Sequence, residues 1–108
     1  MRRIKLSDDA FYDIEEMFSY ISKDNKQAAA KLRKRLYDAI KKLNESPFIG
    51  AMITEDDAPG AERGYRYIVV NPYLAFYRVL DDRIIIARVL HSRQNWLQIL
   101  FGYQEESM

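Results

Sequence analysis

Cysteine is absent from this 108-residue chain. That excludes a disulfide framework, a thiolate metal site and a cysteine nucleophile. Histidine occurs once, as His91, so a zinc centre has no donor set, and neither a metal nor a cofactor is expected. No apolar run approaches the roughly 20 residues of a membrane span. The N-terminal stretch MRRIKLSDDAF is basic but lacks an apolar core, so it does not read as a signal peptide. The expected location is the cytoplasm, with no membrane partner. Strong net charge is missing too: +1 at neutral pH gives no overall signal for a nucleic-acid binder. Lysine disappears part-way along. All seven lysines lie at or before Lys42, and the six cations that follow are arginines. Arginine offers a rigid, always-charged fork for phosphate or carboxylate, where lysine offers a mobile point charge.

What is present suffices for one domain. Hydrophobic residues make up 48% and charged residues 31%, ordinary values for a globular protein. Residues 2–6 alternate weakly, which predicts a short strand. Ser7, Asp8 and Asp9 then open a helix with a hydroxyl cap and two acids at the positive end of its dipole. Phe11, Ile14, Met17, Phe18 and Ile21 give that helix an apolar stripe, and it should end near Ser22. Asp24 reads as the cap of a second helix, with Gln27 completing a capping-box-like pair. Ala29, Leu32, Leu36, Ile40 and Leu43 form its buried stripe, and Ser46-Pro47 stops it. The short connection at 23–25 makes the two helices an antiparallel hairpin. Residues 48–64 are mostly loop, with room for a short strand at 51–54. Strands follow at 65–70, 73–80 and 83–91, joined by Asn71-Pro72 and Asp81-Asp82. A short helix over 94–101 carries Trp96, Leu97 and Leu100. The expectation is a single α+β domain over 1–108: an N-terminal strand, a helical hairpin, and an antiparallel sheet of three to four strands.

The residues that carry chemistry collect where the last strand runs out. Arg88, His91 and Arg93 lie there, on backbone that the sheet holds still. A cationic cluster suits a phosphate or an acidic partner. In a regular strand Val89, His91 and Arg93 face one way and Arg88 and Leu90 the other, so joining Arg88 to His91 needs a bulge or the strand end. Plainer readings stand beside this one. His91 is then a satisfied histidine, and Arg88 pairs with an acid such as Glu15 or Glu16. Tyr65, Tyr67, Tyr73 and Tyr77 are sheet packing, and Glu55-Asp56-Asp57 is a surface loop.

Three segments of the second half carry a family resemblance: GYRYIVV at 64–70, YLAFYRV at 73–79 and IIIARVLHSRQNW at 84–96. Ahead of them, DAFYDIEEMFSYI and AAAKLRKRLYDAIKKLNESPFIG look like a helical hairpin ending at a proline and a glycine. Together these segments resemble the RelE/ParE superfamily, the toxins of bacterial type II toxin–antitoxin pairs, over nearly the whole chain. The resemblance implies a growth-inhibitory toxin held silent in a hetero-oligomer with a cognate antitoxin, whose C-terminal segment covers the sheet and groove. One branch of the superfamily cleaves messenger RNA at the ribosome without metal. The ParE-like branch inhibits DNA gyrase and is not a nuclease.

For a ribonuclease, the resemblance and the chemistry assign catalytic roles to Arg66, Arg88, His91, Arg93 and Glu55. His91 would act as acid or base, the arginines would hold the phosphate, and Glu55 would be the base. The lysine-dependent subtype is disfavoured, because no lysine follows Lys42. The last strand is more similar to ParE-type toxins: RVLHSRQNW leads into a short apolar helix, and Ser92 stands where histidine-type ribonucleases tend to carry tyrosine. A gyrase-directed toxin is therefore the expectation, with the ribosome-dependent mRNA endoribonuclease as its alternative. A non-toxic binding domain of the same fold is the third reading.

Overall fold

The computed structural model describes residues 2–54, 56 and 64–102. β1 (Arg3–Leu6) leads into α1 (Asp8–Ser22) and α2 (Lys26–Lys41). A 3-10 turn, Lys42–Asn44, runs on from α2. Then come β2 (Ala51–Met52), β3 (Tyr65–Val70), β4 (Tyr73–Val79), β5 (Arg83–His91) and α3 (Trp96–Phe101). The strands form one sheet in the order β1-β5-β4-β3-β2. Its four later strands are antiparallel, as expected. β1 adds to the edge in parallel, with Arg3 opposite Arg83 and Leu6 opposite Ile86.

Local chemistry explains the helix ends. The Ser7 hydroxyl accepts the Ala10 N–H at 3.0 Å and donates to the Ala87 carbonyl at 2.7 Å, so one residue caps α1 and bolts it to β5. The second cap is Asn25, not Asp24. Asn25 accepts the Ala28 N–H at 3.0 Å, while the Asp24 N–H still bonds back to Ile21 in the last turn of α1. Asn is as good a cap as Asp, and its position one residue later decides the matter.

The hairpin lies on one sheet face. Ile14, Met17, Leu36 and Ile40 meet Ala75, Tyr77, Ile84, Ile86 and Val89 in a buried cluster. Each fully buried aliphatic side chain contributes about 1.5–3 kcal/mol, so this cluster is the main source of stability. On the other face Phe76, Leu90 and Ile53 are covered by Trp96, Leu97, Leu100 and Phe101. The Trp96 ring stacks on Phe76 with centroids 5.4 Å apart.

The β4–β5 ladder contains one irregularity. Phe76 stands opposite Arg88 but Tyr77 opposite Ile86, so Ala87 is an extra residue on β5. Such a bulge resets the alternation of the strand. Ile84 and Ile86 face the helices before it, and Val89 faces them after it. His91 then follows Val89 onto the helix side.

Candidate functional site

Beyond Leu6 no strand among the described residues lies beside the outer edge of β5, and α1 takes over. Asp13 accepts the Val89 N–H at 2.9 Å, doing for the edge what a neighbouring strand would do. Its two carboxylate oxygens also receive Arg88 Nε and Nη2, each at 2.8 Å. This is a forked pair, stronger than a single charge-assisted bond. Both partners are mostly shielded from water, with Asp13 at 11% and Arg88 at 25% side-chain exposure. Donating these hydrogen bonds to Asp13 raises the Arg88 pKa, against the opposing effect of burial. The acid that holds Arg88 is thus Asp13, two and three residues ahead of the expected Glu15 and Glu16.

His91 closes the strand. Its backbone N–H donates to Gln94 Oε1 at 2.7 Å, and its ring Nδ1 accepts the Arg93 N–H at 3.1 Å. The ring meets Tyr73 edge-on, with centroids 5.2 Å apart. With Nδ1 acting as acceptor, the neutral tautomer carries its proton on Nε2. Arg93 itself is exposed, and among the described residues its guanidinium has no partner. A bulge therefore exists, but it lies ahead of Arg88 and does not join the two residues: Arg88 goes to Asp13 and His91 to Tyr73. A depression of about 200 Å³ lies between those partners, lined by Asp13, Glu16, Met17, Tyr20, Tyr73, Val89 and Gln94. Burial raises the Tyr73 pKa, and the neighbouring Tyr20 adds to the shift.

Arg66 belongs to a different place. It stands opposite Tyr77 and so on the rung of Ile86, whereas His91 shares a rung with Tyr73 and Val70. Those rungs are four residues apart along β4, or about 13 Å, and β3 and β5 are a further two strand spacings apart, about 10 Å. At its own end of the sheet, Arg66 Nη1 donates to the Phe48 and Gly50 carbonyls at 3.1 and 2.9 Å. Its guanidinium carbon lies 5.2 Å from the Phe48 ring centre. Beneath it the buried Tyr77 hydroxyl donates to the Pro47 carbonyl at 2.8 Å and accepts the Gly50 N–H at 2.9 Å. A Cβ on Gly50 would come within 2.5 Å of that hydroxyl and 2.8 Å of the Tyr67 carbonyl, so only glycine fits. Glu55 lies outside the described residues, as does Asp57 beside it.

Sequence reasoning treated Tyr77 as packing and missed this clasp. The signal was present in Pro47 and Gly50 flanking two apolar residues, a loop that must return its polar backbone to something. Asp13 was missed as well, since one acid on a helix carrying several has no mark of its own. No group of three histidine or acidic side chains suited to a metal occurs among the described residues.

Residues 4–96 match the family described as ParE toxin of type II toxin–antitoxin system, parDE. The chain belongs to the ParE toxin family. A relative from Sinorhizobium fredii (strain NBRC 101917 / NGR234), named "Putative toxin Y4kP", is 33% identical over 101 residues, covering 92% of this chain and 97% of the relative. Among solved structures, the chromosomal ParDE TA system from P. aeruginosa superposes with a TM-score of 0.67 at 22% identity, over 84% of this chain and 96% of the other. The YoeB dimer from Staphylococcus aureus gives 0.54 at 22% identity, over 81% and 92%. At such identities these two likenesses speak for the fold, and the fold is that of the RelE/ParE superfamily. The ParE-family chain described here is thus a toxin of a type II toxin–antitoxin system.

Proposed function

We propose that this toxin acts on DNA gyrase by protein–protein contact and is not a nuclease. The observation that carries the reading is the commitment of two of its three candidate arginines. Arg66 is spent on the Phe48–Gly50 loop and Arg88 on Asp13, with Arg66 and His91 at opposite ends of the sheet. Metal-free cleavage of RNA needs an acid, a base and cations gathered around one phosphate. The match to the ParE family over residues 4–96 supports the same conclusion. A cognate antitoxin is the second partner. Solved relatives include the ParDE system and a YoeB–YefM complex, and this chain exposes Phe11, Tyr12 and Tyr20 on α1 and Phe48, Ile49 and Met52 near β2. Apolar surface of that kind needs a cover.

A ribosome-dependent ribonuclease is the second reading, favoured by one feature: His91 Nε2 carries the proton of the neutral ring and has no partner among the described residues. Two assays separate the readings. The purified toxin, titrated into gyrase and relaxed plasmid, should abolish supercoiling near equimolar ratio, and added antitoxin should restore it. A map of RNA 5′ ends minutes after induction should show no new ends. New ends inside translated codons, with supercoiling intact, would overturn the gyrase reading.

A further inference from the structure

The two helices of the hairpin carry opposite charge. α1 holds Asp8, Asp9, Asp13, Glu15 and Glu16 and no base, whereas α2 holds Lys26, Lys31, Arg33, Lys34, Arg35 and Lys41 against the single acid Asp38. At about 100° per residue, Lys31, Lys34, Arg35, Asp38, Lys41 and Lys42 fall within an arc of roughly 120°, opposite the buried stripe. All six are exposed. Lys34 is tied to Asp38 at 2.7 Å, which leaves Lys31, Arg35, Lys41 and Lys42 as net positive charge.

A solvated helix face is the ordinary outcome for such a pattern, and what the face lacks tells against a protein partner. Among the described residues the exposed large hydrophobics are Phe11, Tyr12, Tyr20, Phe48, Ile49, Met52 and Val69, and none is on α2. Protein interfaces need an aromatic or aliphatic anchor, and they are depleted in lysine. Single-stranded nucleic acid needs rings to stack on. A duplex backbone needs neither, only cations along a rod. From Lys31 to Lys42 the face runs about 16 Å, a length over which a duplex carries about ten phosphate charges.

We infer that the outer face of α2 is a sequence-independent contact for the phosphate backbone of duplex DNA, made by Lys31, Arg35, Lys41 and Lys42. The inference goes beyond the gyrase reading, because the contact belongs to the toxin alone.

The test is fluorescence anisotropy of the full chain on a labelled duplex of mixed sequence, at a series of salt concentrations. Four contacts give a slope of log K against log salt of about −3.6. The variant Lys31→Gln/Lys41→Gln/Lys42→Gln removes three exposed charges and should reduce the slope by about 2.7. The matched variant Arg3→Gln/Lys5→Gln/Arg83→Gln removes as much charge from the β1–β5 edge and should leave the slope unchanged. Circular dichroism should show both variants as folded as the parent. Absence of binding at low salt would overturn the inference, as would equal losses in the two variants. Binding of poly-glutamate as tight as that of the duplex would instead make the face a site for an acidic protein, and would overturn it too.

Discussion

Tyr77→Phe tests the clasp at the base of the sheet. The substitution keeps the ring that fills the helix-side core and deletes one oxygen. That oxygen satisfies two backbone groups at 2.8 and 2.9 Å, one of them the N–H of the buried Gly50. An orphaned buried donor costs about 1–3 kcal/mol, and each lost hydrogen bond about 1 kcal/mol net. The Pro47 carbonyl is only partly buried and recovers some of its loss from water. Relief of the desolvated hydroxyl itself offsets a little more. The expected net loss is about 2 kcal/mol, or a fall in melting temperature of roughly 10 °C for a domain of this size. Urea unfolding at neutral pH measures it. Arg66→Met should cost less on its own, yet the pair should depart from additivity by about 0.5 kcal/mol or more, since both residues hold the same loop. A loss below about 0.5 kcal/mol for Tyr77→Phe, or strict additivity, would refute the clasp as a stabilising unit.

Gly50→Ala should destabilise by about 1–3 kcal/mol, because the new methyl would run into the Tyr77 hydroxyl and ring edge and the Tyr67 carbonyl; thermal melts suffice to see it. Arg88→Met should cost about 2–3 kcal/mol in urea, less than a fully buried pair because water reaches both partners, and mostly because Asp13 is left charged and half-served. Tyr37, Tyr73 and Tyr77 all have pKa values raised from 10.0, chiefly by burial. Above about pH 10 the unfolded chain therefore holds fewer phenolic protons than the folded one, so stability should be flat below that pH and fall as it rises through the folded values. Urea midpoints across that range would show it, and Tyr77→Phe should flatten the fall. His91→Ala should preserve growth arrest on induction, whereas complete loss of toxicity in a variant that still folds would favour the ribonuclease reading.

The sequence was most legible where pattern repeats. The helix stripes, the Ser7 cap and the turns at 71–72 and 81–82 are local, and their periodicity or turn residues announce them. What was hidden depends on residues far apart in the chain. The pairing of β1 with β5 leaves no local trace, since a parallel partner is not reached by a hairpin. Asp13 became visible only when α1 was laid along an open strand edge. The bulge at Ala87 was anticipated as a geometric need, but it falls ahead of Arg88, so the regular alternation from Arg88 to His91 still keeps the two apart. The tyrosine counted as packing is the one whose hydroxyl holds a loop, and burial class alone does not distinguish those roles.

The parallel pairing of β1 bears on when the protein becomes dangerous to its host. Ser7 and its bond to Ala87 are 80 positions apart in the chain, and β1 finds its place only beside β5. At ribosomal speeds of about 5–20 residues per second, that interval lasts roughly 4–16 s. Throughout it the nascent chain carries a first strand with no partner, and α1 has neither its bolt nor the Asp13 clamp. A polypeptide released early, short of residue 83, has no site for β1 at all. Toxicity is thereby postponed until β5 has been made, and products terminated before it should be harmless.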